Sequence, residues 1–136
     1  MPIDDDRAIA ALLRRARTIA VVGASDKPWR DSNSIMAYLL AKGYNAIPVN
    51  PRLTEVLGRS CFPSVDAIPE PVDIVDVFRN SEAVGEVVNE AIRAKAPVIW
   101  LQLGVVNEEA ARTAERHGMS VVMNRCIAVD HRRLIA

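Results

Sequence analysis

Apolar residues fall along this chain in two alternating periods. Ile9, Leu12, Leu13 and Ala16 recur at helical spacing behind three aspartates suited to a helix N-terminus, which predicts a first helix over residues 5–16. Arg14, Arg15 and Arg17 sit at its favourable end. "TIAVVG" is continuously apolar rather than alternating, the mark of a strand buried on both faces. "SIMAYLLAKG" predicts a helix with Ser32 or Asn33 as cap and Gly43 as stop. "NAIPVN" is a second short strand, demoted by Pro48. A long connection punctuated by proline and glycine follows, with a short helical turn expected at Ser64 to Ile68. "VDIVDVF" is a third buried strand, and Val84, Val87, Val88, Ala91 and Ile92 mark one face of the next helix. "PVIWLQLG" is strand four, "NEEAARTAERHG" a helix with Asn107 as cap and Gly118 as stop, and "MSVVM" strand five. A short terminal helix is expected after Asn124.

Strands and helices alternating in this way predict an α/β fold: a doubly wound parallel sheet of about five strands with helices on both faces. The expected strand order is 3-2-1-4-5, in one domain spanning residues 1–136. Ligands of such sheets bind at the carboxyl ends of the strands, beside the switch point. That places the candidate contacts at Gly23 to Ser25, Asn50 to Arg52, Phe78 to Asn80, Gln102 to Val105 and Asn124 to Cys126.

Composition narrows the partners. Lysine plus arginine equals aspartate plus glutamate at 17 each, so no overall charge argues for a nucleic acid or a membrane surface. An anion site must be local. Cys61 and Cys126 lie far apart and outside metal-ligand spacing, which fits a reducing cytoplasm. No apolar run approaches the ~20 residues of a membrane span, and the acidic N-terminus is unlike a signal peptide.

The first loop, "GASDKPWRDS", carries the chemistry. Gly23 permits a tight turn, Ser25 can donate from hydroxyl and amide, the next helix would point free N–H groups at the same space, and Lys27 and Arg30 add charge. Together they describe a phosphate cradle, weighed against a solvated loop that only caps and solubilises. Strand two ends in Asn50, Pro51 and Arg52, with no carboxylate for the ribose hydroxyls that NAD requires; Arg52 instead suits a phosphate. An NADP reader, or a ligand built on phosphorylated adenosine diphosphate such as coenzyme A, stays compatible.

"VVGASDKPWRDS", "IPVNPR", "VDIVDVFR" and "VIWLQLGVVNEEAARTAERHGMSVVMNRC", in this order, resemble the small single-domain CoA-binding proteins. Their Rossmann-like domain is similar to the N-terminal CoA-binding domain of the succinyl-CoA synthetase alpha subunit. The resemblance implies that Gly23, Ala24, Ser25, Lys27 and Arg30 contact the phosphates of coenzyme A or an acyl-CoA; Ser32, at the expected helix start, is a further candidate contact from the loop itself. It implies that Val49, Asn50, Pro51 and Arg52 lie along the adenosine, that Phe78 and Arg79 line the site, and that Gln102 and Gly104 face the pantetheine end. Arg52 stands where the family leads one to expect lysine.

Other residues read more plainly. Cys126 is a buried thiol or one that pairs with the CoA thiol; Cys61 has nothing to activate it. His117 is expected as a helix-end partner, His131 at the surface or an interface, Trp100 in the core, Trp29 over a ligand or on the surface, and Glu108 and Glu109 in a helix first turn. No nucleophile, base or metal cluster emerges, so the expected function is a binding module without catalysis or metal. The alternatives are a subunit or remnant of an acyl-CoA ligase and an NADP-binding redox sensor. The sequence is compatible with a homodimer and names no protein partner.

Overall fold

The computed structural model describes residues 1–135. Its core is a five-stranded parallel sheet formed by β1 (Thr18–Val22), β2 (Asn45–Val49), β5 (Ile74–Val77), β6 (Val98–Leu101) and β7 (Ser120–Met123). Two-residue strands β3 (Glu55–Val56) and β4 (Arg59–Ser60) pair as a small antiparallel hairpin in the connection between β2 and β5. The expected turn in that connection is a 3₁₀ segment, Val65–Ala67. Five α-helices complete the chain: α1 (Asp6–Arg15), α2 (Asp31–Ala41), α3 (Val84–Arg93), α4 (Glu108–Arg116) and α5 (Ile127–Leu134).

Both sheet faces are covered, which is why the strands read as unbroken apolar runs. One face, carrying Ala20, Val22, Val75, Val77, Ile99 and Leu101, packs with Val84, Val87 and Val88 of α3 and Ala110, Ala111 and Ala114 of α4. The other, carrying Ile19, Val21, Ile74, Val98, Trp100 and Val122, packs with Ile9 and Leu13 of α1, Met36 and Leu39 of α2, and Ile127 of α5. Trp100 is fully buried and donates its indole N–H to the Arg125 carbonyl at 2.8 Å.

The strand order is β2-β1-β5-β6-β7, which in the five-strand count is 2-1-3-4-5 and not the expected 3-2-1-4-5. Strand two lies at the edge, and Pro48 supplies the reason. Its carbonyl faces outward and accepts from Phe62 N at 3.0 Å, so its ring nitrogen faces the same way. An inner position would leave a ladder donor missing there. A short stretch of the connection closes that edge, with Asn50 N donating to the Phe62 carbonyl at 2.9 Å. At the opposite edge Ile3 N donates to Val121 O at 2.7 Å, and the Met1 ammonium lies 2.9 Å from the Glu115 carboxylate.

Local signals set the helix ends where they act alone. Asp5 caps α1 through Ala8 N at 3.2 Å, and Asn107 caps α4 through Ala110 N at 2.9 Å, with Glu108 and Glu109 in its first turn. α2 differs from expectation: it starts at Asp31, behind Arg30, with no side-chain cap. Asn33 is drawn away to donate to the Ser25 carbonyl at 2.9 Å, and Ser32 is buried. His131 is also a correction. It is buried rather than superficial, with Nδ1 2.7 Å from the Tyr38 hydroxyl and its ring edge-on to Tyr38 and Tyr44. Burial, then the Lys42 ammonium, holds its pKa below the ordinary value.

Candidate functional site

β2 departs to one side of β1 and β5 returns on the other, so the switch point lies between β1 and β5. There the chain leaves a crevice of about 790 Å³ at the carboxyl ends of the strands. Gly23 sits at its base with φ +85°, a conformation that L side chains avoid. A Cβ there would stand 3.3 Å from the Phe78 carbonyl carbon and 3.2 Å from Arg79 Cγ. The glycine is therefore required first by the close approach of the β5 end. This adds a structural role to the ligand approach expected from sequence.

The loop amides divide into used and open. Gly23 N and Ala24 N both donate to the Val49 carbonyl, at 3.0 and 3.3 Å, joining the ends of β1 and β2. From Ser25 onward the picture changes: among the described residues no backbone carbonyl accepts from Ser25 N or Asp26 N. At the start of α2 the N–H groups of Asp31 and Ser32 are likewise without a backbone acceptor among the described residues, whereas Asn33 N and Ser34 N both donate to the Arg30 carbonyl, at 3.0 and 3.2 Å. Ser25 Oγ accepts from Lys27 N at 3.1 Å and retains its own proton to donate. The open donors of this loop thus begin two residues after the glycine.

Asn50 is a clamp. Its Nδ2 donates to the Ala24 carbonyl at 2.8 Å and its Oδ1 accepts from Arg52 N at 2.8 Å, so both ends of the amide are occupied holding the two loops together. Gln102 does related work across the crevice, accepting from Ile127 N at 3.0 Å and so tying β6 to the start of α5. Its amide nitrogen has no partner among the described residues and belongs to the crevice wall.

Charge gives the site its sign. Lys27, Arg30 and Arg52 line the crevice, and Arg79 lines a second cavity of about 250 Å³ that shares Gly23, Asn50 and Arg52 with it. None of the four joins the ion pairs formed among the described residues, which lie elsewhere. Asp26 and Asp31 at the rim temper the field without pairing with these cations. Apolar groups supply the rest of the wall: Phe78, Val105, Leu103, which is 70 % exposed, and Trp29, 76 % exposed with Lys27 Nζ 5.6 Å from its ring centroid.

Of the residues singled out from sequence, Gly23, Ala24, Ser25, Lys27, Arg30, Ser32, Asn50, Arg52, Phe78 and Gln102 line the crevice. Val49, Pro51 and Arg79 line the adjoining cavity. Gly104 lines neither. With φ +90° it makes the turn that lets its N–H donate to Asn124 Oδ1 at 2.7 Å, while its neighbours Leu103 and Val105 face the crevice. Cys126 occupies the N-cap position of α5, without a side-chain capping bond and outside both cavities, and Cys61 lies behind Asn50 with its thiol pKa pushed up by burial. Leu103 and Val105, within the expected Gln102 to Val105 segment, are in the crevice wall, whereas Leu53, Pro63 and Glu90 belong to the walls and carried no local signal.

One group beneath the crevice stands apart. Asp76 is fully buried in β5 between Val21 and Trp100, and neither carboxyl oxygen has a hydrogen-bond partner. It shares a sheet face with Ile74 and, two residues on, with the crevice residue Phe78. Burial pushes its pKa well above the carboxylate range.

Among the described residues no group of three histidine, cysteine or acidic side chains is arranged to hold a metal ion, and no helix is long and apolar enough to cross a membrane. Comparison with known proteins agrees with the geometry. The family described as CoA binding domain matches residues 17–132. The chain is 44 % identical to the protein YneT of Bacillus subtilis (strain 168), over 90 % of this chain and 91 % of that one. A hypothetical protein from Pyrococcus horikoshii OT3 has a solved structure that superposes with a TM-score of 0.96 at 44 % identity, covering 100 % of this chain and 97 % of that chain. The ADP-forming acetate–CoA ligase I of Archaeoglobus fulgidus is 32 % identical over 83 % of this chain, which spans only 18 % of that ligase.

Proposed function

This chain belongs to the CoA binding domain family, and from that premise we propose that it binds coenzyme A or an acyl-CoA in the crevice at the switch point, without catalysing a reaction on it. The observation that carries the reading is the convergence of four unpaired cations, Lys27, Arg30, Arg52 and Arg79, with the open amides of Ser25, Asp26, Asp31 and Ser32. Such a collection is costly to hold together unless an anion offsets it. The ligand's phosphates meet these donors, its adenosine runs along Val49 to Arg52, and its pantetheine arm passes between Trp29, Phe78 and Leu103 toward Gln102.

Absence of catalysis is supported by where the reactive groups lie. His131 is engaged by Tyr38 at the other end of the sheet, and Cys126 stays outside the crevice wall. A second reading, that the chain acts as the CoA-binding part of a larger ligase, is favoured by its match to a small fraction of an acetate–CoA ligase.

Native mass spectrometry of freshly purified protein is the direct test, together with thermal unfolding. Coenzyme A should raise the unfolding temperature by mass action, and NAD should not. A shift with NAD and none with coenzyme A overturns the reading. Turnover of an acyl-CoA by the isolated chain overturns the non-catalytic part of it.

A further inference from the structure

The smaller cavity contains a group that the phosphate argument does not use. Glu90, on α3, is nine-tenths buried, and its Oε1 accepts from Val65 N at 2.9 Å, which fixes the carboxylate against the 3₁₀ segment. Among the described residues no donor reaches Oε2, and Oε2 is not among the sealed, unpartnered polar atoms. Glu90 lines the cavity, and Oε2 is the carboxylate oxygen it has to offer there. Arg52 and Arg79 line the same cavity, and neither forms an ion pair with Glu90.

A cavity lined by a carboxylate as well as two guanidiniums is wrong for a bare anion. It suits a ligand that carries both an N–H donor and a phosphate. Val49, Pro51 and Pro63 add apolar surface to its lining, and about 250 Å³ leaves room for a purine ring. Resting on the coenzyme A reading above, we infer that Glu90 is a specificity-determining residue that reads the 6-amino group of the adenine through Oε2. The buried oxygen gains its missing hydrogen bond only from a base with a donor at that position. A base without one leaves the oxygen desolvated and unpaired, and that asymmetry makes buried polar groups discriminate strongly.

The test compares adenosine 3′,5′-bisphosphate with the same compound lacking the 6-amino group, each as a competitor of coenzyme A in calorimetric titration. The parent protein should prefer the amino compound by about tenfold or more, the size expected for a hydrogen bond to a charged group. Glu90→Gln should bring the two within about threefold. In that variant the amide oxygen is retained by Val65 N, so the fold is kept, while a second donor replaces the free acceptor. Equal affinities in the parent, with coenzyme A still bound, overturn the inference and leave the coenzyme A reading intact. Discrimination that persists in Glu90→Gln overturns it as well. Failure of the parent to bind coenzyme A removes both. Should circular dichroism show Glu90→Gln to be misfolded, the parent's preference between the two probes still decides.

Discussion

Cations outside the ion pairs gather at both ends of the sheet, and the helices around the two sets differ. At the carboxyl ends of the strands are Lys27, Arg30, Arg52 and Arg79. At the amino ends Arg14, Arg15, Arg17 and Lys42 line a groove with His131. There α1, α2 and α5 terminate, at Arg15, Ala41 and Leu134, so the cations face the negative ends of three helices. The Tyr44 hydroxyl donates to the Leu13 carbonyl at 2.6 Å, and Lys42 Nζ stands 5.5 Å from the Tyr38 ring centroid. At the carboxyl end α2 and α5 begin, and their dipoles add to the positive charge instead of opposing it. On the proposed reading, the polarity of the surrounding helices, and not the number of cations, is what suits one set to an anion.

The sharpest way to break this comparison is to remove charge at one end and then at the other. Replacing Arg52 and Arg79 together by alanine should weaken coenzyme A by roughly 3–6 kcal/mol, two charge-assisted contacts' worth, with a shallower salt dependence in calorimetric titration. Unchanged affinity would mean that the carboxyl-end charges are as idle as those at the other end. Gly23→Val should act on the scaffold that positions them. A β-branched residue at φ +85° and against the Phe78 backbone is expected to lower folding stability by about 2–4 kcal/mol, read from denaturant unfolding. A fully stable variant would show that the β1–β5 approach is looser than the geometry implies.

Asp76→Asn sharpens the carboxyl-end half of the comparison through pH. Because burial raises the folded-state pKa of Asp76, the unfolded chain releases this proton first as pH rises. The favourable contribution is complete below the ordinary carboxylate pKa of ~3.9 and is lost as pH climbs toward the raised value, by up to about 1.4 kcal/mol per pH unit. The asparagine variant should gain stability relative to the parent from pH 5 upward. Parallel stability profiles would contradict a buried neutral carboxyl. The smallest effect belongs to the amino end: Arg14 and Arg15 changed to alanine should cost roughly 0.3–1 kcal/mol each through the α1 dipole and leave coenzyme A affinity untouched.

What could be read from the sequence follows the range of the forces involved. The Asn107 cap and the buried strands were legible because each depends on neighbours in the chain. The strand order was missed although Pro48 was visible in strand two, since the direction in which its missing donor would face depends on which strand lies beside it. Asn33 reads as a cap and is diverted by the Ser25 carbonyl, eight residues away. Glu90 has the pattern of a solvated helix position until the 3₁₀ segment at Val65 packs over it. Asp76 interrupts an apolar run, a visible oddity whose cost appears only when Val21 and Trp100 close on either side.

The covered sheet edges bear on how copies of this chain can meet. The Phe62 stretch binds the rim of β2, and Ile3 N takes the Val121 carbonyl on the rim of β7, so another strand would find part of each edge already occupied. Extending this sheet with a second copy would require these segments to give way first. The same contacts stand where edge-to-edge fibre growth would begin. A fusion attached ahead of Met1 would test how firmly that protection is held, since it abolishes the ammonium that anchors the covering arm to Glu115.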